Sequence, residues 1–120
     1  MKQLAKREDQ IMQIVWRLEK AFIRDIIKEI PDPKPHYNTV ATMVKILVRK
    51  GFLKSELLGN SYRYSPAIEK DAYRDQHLVN IKKKYFGNSL PKMIAHFAKG
   101  EKLSDEEIRE IIRIIESQKS

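Results

Sequence analysis

Asn38, Ala41, Thr42, Lys45 and Arg49 recur at helical spacing within one short stretch, and together they carry the chemistry for reading a nucleic-acid duplex. Asparagine can pair with adenine, threonine and alanine can touch a thymine methyl or sit close to the groove floor, and lysine and arginine can reach guanine or phosphate. No bulky apolar side chain interrupts the set, so a groove could accept this face. The same residue types also make an ordinary solvated helix face, and Asn38 could serve as a helix N-cap instead. Arg63 lies between Tyr62 and Tyr64. Strand alternation puts it on the face opposite the tyrosines, where with Lys54 or Asn60 it could hold a phosphate while the tyrosines cover the core.

Other chemistries find little to work with. The chain has no cysteine, which removes disulfides, thiolate metal sites and cysteine nucleophiles. His36, His77 and His96 are too scattered to form a recognisable metal motif. No paired carboxylates, glycine-rich phosphate loop or nucleophile–base set is found, so neither an enzyme nor a cofactor is expected. Lys82-Lys83-Lys84 reads as the solvated face of a helix.

Charge points the same way as the polar stripe. Residues 1–66 hold thirteen Lys and Arg against seven Asp and Glu, whereas residues 67–120 hold eleven against nine. The net charge of +8 is therefore concentrated in the first part of the chain, where a polyanion would be bound by neutralising phosphates and releasing counterions. No run approaches the roughly 18 apolar residues of a membrane span. Met1-Lys2-Gln3-Leu4 leads into an amphipathic pattern without a signal-peptide core, so a cytoplasmic protein is expected.

The elements that must position the polar stripe are legible from periodicity. Ile11, Ile14, Val15 and Leu18, widened by Met12 and Trp16, predict a helix over about 6–19. Ile23, Ile26, Ile27 and Ile30 predict a second, ended by the Pro31-Asp32-Pro33-Lys34-Pro35 run, which cannot supply helical donors. Val40, Met43, Val44 and Leu47 predict a third, which closes at Lys50-Gly51. Phe52 to Leu57 and Ser61 to Ser65, joined through Leu58-Gly59-Asn60, predict a β-hairpin. Three helices and a hairpin make a winged helix-turn-helix, assigned to residues 1–67.

Residues 68–120 read as a helical dimerisation arm. Leu78, Ile81 and Tyr85 mark a charged helix ending near Gly87-Asn88, and Leu90, Met93, Ile94 and Phe97 mark another. Ser104 and Glu107 form a capping-box pair ahead of Ile108, Ile111, Ile112 and Ile115. So many apolar side chains on short helices need a partner. Phe86, Leu90, Met93, Ile94, Phe97, Ile108, Ile111, Ile112 and Ile115 are the expected dimer interface, although the helices could instead fold back on the winged helix. A two-fold dimer would set two recognition helices about 34–36 Å apart, or a multiple of that distance.

These residues resemble the BlaI/MecI-type penicillinase repressors over nearly the whole chain, from about Leu4 to the last helix. Glu8 with Ile11-Met12 and Trp16 is similar to the family's first helix. Asn38-Thr39-Val40-Ala41-Thr42-Met43, with Leu47 and Lys50-Gly51-Phe52, is similar to its recognition helix and exit. Tyr62 and Tyr64-Ser65-Pro66 resemble its wing, while Phe86-Gly87-Asn88-Ser89 and Leu103-Ser104-Asp105-Glu106-Glu107-Ile108 continue the likeness into the dimerisation region. The resemblance implies a homodimer on a palindromic double-stranded operator, adds Thr39 to the DNA-contacting set, and implies repression that lasts until the protein is inactivated. In the best-known members a membrane-bound sensor metalloprotease drives cleavage of an Asn-Phe bond in the arm. The matching bond here is His96-Phe97, a departure from that pattern. Ala5 departs too, standing where the family has a Ser or Thr cap, and the absence of cysteine excludes thiolate copper sensing. Two alternatives stay open: a winged-helix repressor released by a small molecule, and a winged-helix protein-interaction module that would show no salt-dependent binding to duplex DNA.

Overall fold

The structure is a computed structural model and describes residues 3–100 and 103–119. Met1 and Lys2, expected to lead into the first amphipathic pattern, lie outside the described residues. In order the chain forms α1 (Lys6–Leu18), α2 (Ile23–Glu29), α3 (Tyr37–Arg49), β1 (Leu53–Leu58), β2 (Ser61–Pro66), α4 (Lys70–Tyr85), α5 (Leu90–Gly100) and α6 (Asp105–Ser117). It divides into two compact units that meet between Gln76 and His77, within α4.

In the first unit the predicted apolar stripes converge. Ile11, Met12, Val15, Ile26, Ile30, Val40, Val44, Leu47, Phe52 and Leu53 are the largest fully buried side chains. Burying each such side chain contributes roughly 1.5–3 kcal/mol, enough to fix α1, α2 and α3 against one another. β1 and β2 pair antiparallel, from Leu53 opposite Pro66 to Leu58 opposite Ser61. Gly59, at φ 63, opens the two-residue turn between them; a left-handed residue there matches the twist of the strands. Ala21 adds an isolated antiparallel bridge to β2, donating to the Tyr64 carbonyl at 2.9 Å and accepting from its amide at 2.7 Å.

Local chemistry sets the ends of α3. Its C-terminus closes in a Schellman motif: the Gly51 amide donates to the Val48 carbonyl at 3.0 Å and the Phe52 amide to the Leu47 carbonyl at 2.9 Å. Gly51 takes φ 86, which suits a residue without a side chain, and Phe52 and Leu47 are both buried. Ahead of α3, Lys34 Nζ donates to the carbonyls of Ile27, Lys28 and Ile30 at 3.1, 3.1 and 2.6 Å, satisfying acceptors that the end of α2 leaves open.

The N-terminus of α1 is tied to the end of α3. Ala5 offers no side-chain cap, but its amide donates to Glu8 Oε1 at 2.9 Å, half of a capping box. Glu8, only 6 % exposed, also accepts from Lys50 Nζ at 2.8 and 3.0 Å. Burial pushes its carboxyl up, but the Lys50 hydrogen bond, the Ala5 amide and the Lys50 charge together prevail and hold it below the ordinary carboxylate value.

The first unit extends nine residues beyond the hairpin-based boundary at residue 67. Trp16 Nε1 donates to the Ile68 carbonyl at 2.9 Å. The Tyr73 ring lies 5.7 Å from Trp16 and 5.5 Å from Phe52, so the start of α4 seals the core.

The second unit is built differently. The end of α4 is turned by Gly87 and Asn88, at φ 57 and 61. Ser89 Oγ accepts from the Lys92 amide at 3.2 Å at the start of α5. The capping box expected at α6 is present, with Ser104 Oγ accepting from the Glu107 amide and Glu107 Oε1 accepting from the Ser104 amide, both at 3.1 Å. Yet no residue of α4, α5 or α6 is buried. No helix among the described residues is long and apolar enough to cross a membrane.

Candidate nucleic-acid interface

α3 turns its two faces to different environments. Val40, Val44 and Leu47 are buried. On the opposite side Asn38, Thr42, Lys45 and Arg49 are all exposed and stand at i, i+4, i+7 and i+11, one continuous stripe at 3.6 residues per turn. His36 is the N-cap, so Asn38 lies within the first turn and does not cap the helix.

The side chains of this stripe are available. Thr42 Oγ1 donates to the Asn38 carbonyl at 2.9 Å, which leaves its methyl and lone pairs facing out, able to meet a thymine methyl or accept from a base amine. Among the described residues Lys45 and Arg49 form no ion pair, and the Asn38 amide group makes no hydrogen bond. Two of the remaining predicted contacts sit elsewhere. Thr39 is exposed but lies about 100° round the helix from Asn38. Ala41 is half-buried and packs against the core cluster, so it borders the stripe.

The hairpin separates its candidates. Tyr64 is 5 % exposed and covers the core, whereas Tyr62 on the same face is 52 % exposed. Burial raises the Tyr64 hydroxyl above its ordinary pKa, helped by Tyr37 and Tyr62 nearby. Arg63 lies on the other face, half-buried, with its Nη2 on Glu56 Oε1 at 2.7 Å. That face opens on a cleft toward α1 lined by Lys20, Lys54 and Arg63 but also by Glu19, Glu56 and Glu69. The sequence shows Arg63 opposite the tyrosines, but only the register reveals Glu56 across from it.

In the second unit, Leu90, Met93, Ile94, Phe97, Ile108, Ile111, Ile112 and Ile115 converge on one open apolar groove of about 990 Å³ between α5 and α6, with Leu103 and Ile114. Phe86 is not part of it; its ring centroid lies 5.6 Å from that of His96, the two rings tilted by 52°. Phe97 is 66 % exposed, and the His96-Phe97 bond lies inside α5. Among the described residues no group of three His, Cys, Asp or Glu is placed to hold a metal ion.

Comparison with known proteins gives these features a family. The penicillinase repressor family model matches residues 4–117. The penicillinase repressor of Bacillus licheniformis is 27 % identical over 123 residues, covering 98 % of this chain and 93 % of its own. The solved DNA-binding domain of the repressor BlaI superposes with a TM-score of 0.52 at 26 % identity, covering 59 % of this chain and 88 % of that one. The monomeric form of B. licheniformis BlaI in complex with the blaP half-operator gives 0.50 at 26 % identity, covering 60 % and 89 %. On the strength of a family match that spans both units, this chain belongs to the penicillinase repressor family.

Proposed function

We propose that the protein is a DNA-binding transcriptional repressor whose first unit reads an operator while its second unit joins two copies. The observation that carries this reading is the exposed stripe of Asn38, Thr42, Lys45 and Arg49, which makes no ion pair among the described residues, on a chain whose relative BlaI has been solved on its half-operator. Asn38 and Thr42 are suited to base edges, and Lys45 and Arg49 to guanine or phosphate. The test is a titration of wild type, Thr42→Ala and Lys45→Ala against the promoter upstream of its own gene and against random duplex. Wild type prefers the promoter, Thr42→Ala narrows that preference, and Lys45→Ala weakens both interactions. Equal binding to all duplexes contradicts sequence-specific repression.

The groove between α5 and α6 supports the homodimer. A symmetric exchange of a few aliphatic side chains, each contributing roughly 1.5–3 kcal/mol, offsets the cost of association. Two linked reading units on a palindromic operator then gain avidity. Release follows from cleavage at His96-Phe97 by a membrane-bound sensor protease of the kind the family resemblance implies. Because proteases take extended chain, α5, which holds the His96-Phe97 bond, must open locally before the bond is cut. A Phe97→Ala chain that dimerises and represses as wild type does would count against a structural role for Phe97 in this release.

A further inference from the structure

A second cleft lies on the other side of the hairpin from Arg63. Phe22, Arg24, Tyr37, Asn60, Tyr62 and Tyr64 line it, bringing together the start of α2, the start of α3 and the tip of the wing. Tyr37 is the first residue of α3, immediately before Asn38, so the cleft borders the beginning of the reading stripe. Tyr37 and Tyr62 are 57 % and 52 % exposed, unusual for rings with so much apolar surface. The Arg24 guanidinium sits 5.7 Å over the Phe22 ring and forms no ion pair among the described residues. Its charge is held on a ring platform and left unneutralised, whereas Arg63 is already matched by Glu56 at 2.7 Å.

We infer that Arg24, with the Tyr37 and Tyr62 hydroxyls, grips a DNA backbone phosphate beside the recognition helix, and that this cleft, not Arg63, supplies the wing-side phosphate contact. The inference rests on the DNA-binding reading above and names contacts within it. The chemistry is that of a charge-assisted hydrogen bond from a guanidinium to an anionic oxygen, flanked by two phenol donors. Such a contact positions the protein without reading sequence. At Arg63, by contrast, a phosphate would first have to displace a carboxylate.

The distinguishing experiment measures binding of the full chain to the promoter duplex and to random-sequence duplex over a range of salt, for wild type, Arg24→Gln, Tyr62→Phe and Arg63→Gln. All three side chains are exposed or half-buried, and circular dichroism confirms that each variant folds. Arg24→Gln lowers the slope of log affinity against log salt by about one and weakens both duplexes about tenfold at low salt, with the preference between them kept. Tyr62→Phe weakens both by a smaller factor, and Arg63→Gln leaves the slope unchanged. An unchanged slope for Arg24→Gln, or a reduced one for Arg63→Gln, overturns the inference while leaving operator binding intact. Wild type that binds neither duplex overturns the DNA-binding reading itself, and the inference with it.

Discussion

The two units of this chain hold similar kinds of apolar residue and use them in opposite ways. The first gathers Ile11, Ile26, Val44, Leu47 and Phe52 into a core from which water is excluded. The second leaves Leu90, Ile94, Phe97, Ile112 and Ile115 between 45 % and 66 % exposed. One unit meets its packing needs within a single chain; the other has helices with good caps but no interior. Capping and periodicity are thus sufficient to define a helix, while burial decides whether a helical unit is complete. An incomplete unit with one coherent apolar groove is suited to pairing.

The contrast predicts different responses to truncation. Phe52→Ala, in the complete unit, loses its transfer free energy and leaves a cavity in the core beside Tyr73, costing about 4 kcal/mol in urea unfolding followed by Trp16 fluorescence. A loss below about 1 kcal/mol would show that the core tolerates collapse there. Replacing both Ile111 and Ile112 with Asp puts charge on the open groove. The expected result is a dimer weakened into monomer at micromolar concentration, a change of about 3 kcal/mol, with the thermal transition of the first unit preserved. A dimer that survives the double change would place the interface elsewhere.

A smaller effect belongs to the link between α1 and α3. Lys50→Met removes the cation from the buried Glu8 carboxylate and costs about 2 kcal/mol at neutral pH. Because the folded Glu8 carboxyl is held below its ordinary value, the stability it contributes is present above the unfolded glutamate pKa and is lost as pH falls through the lower folded value. Stability measured from pH 7 downward therefore falls more steeply in acid for wild type than for Lys50→Met. Parallel pH profiles for the two proteins would show that the pair carries no such linkage.

The same contrast explains how much could be read in advance. Periodic stripes and stop signals are local, so α1 to α3, the Schellman close at Gly51 and the Ser104–Glu107 capping box follow from neighbouring residues. The stripe of Asn38, Thr42, Lys45 and Arg49 follows from the same period. Properties set by distant residues were not legible. Arg63 finds Glu56 only through strand register, and Ala41 is drawn half into the core by the packing of α3. Tyr73 gives the start of α4 to the first unit through ring contacts with Trp16 and Phe52, a lone aromatic with no pattern to announce it. Tyr62 differs from Tyr64 because it lies nearer the hairpin tip, past the edge of the core, a difference that alternation along a strand does not convey.

The most direct measurement is sedimentation of the full chain, alone and with the promoter duplex from upstream of its gene. A complete reading unit joined to an incomplete pairing unit predicts a species of twice the 14.2 kDa chain mass at micromolar concentration, and two chains on each operator. A stable monomer that binds the duplex one chain at a time, with no dimer at any concentration tested, would contradict it.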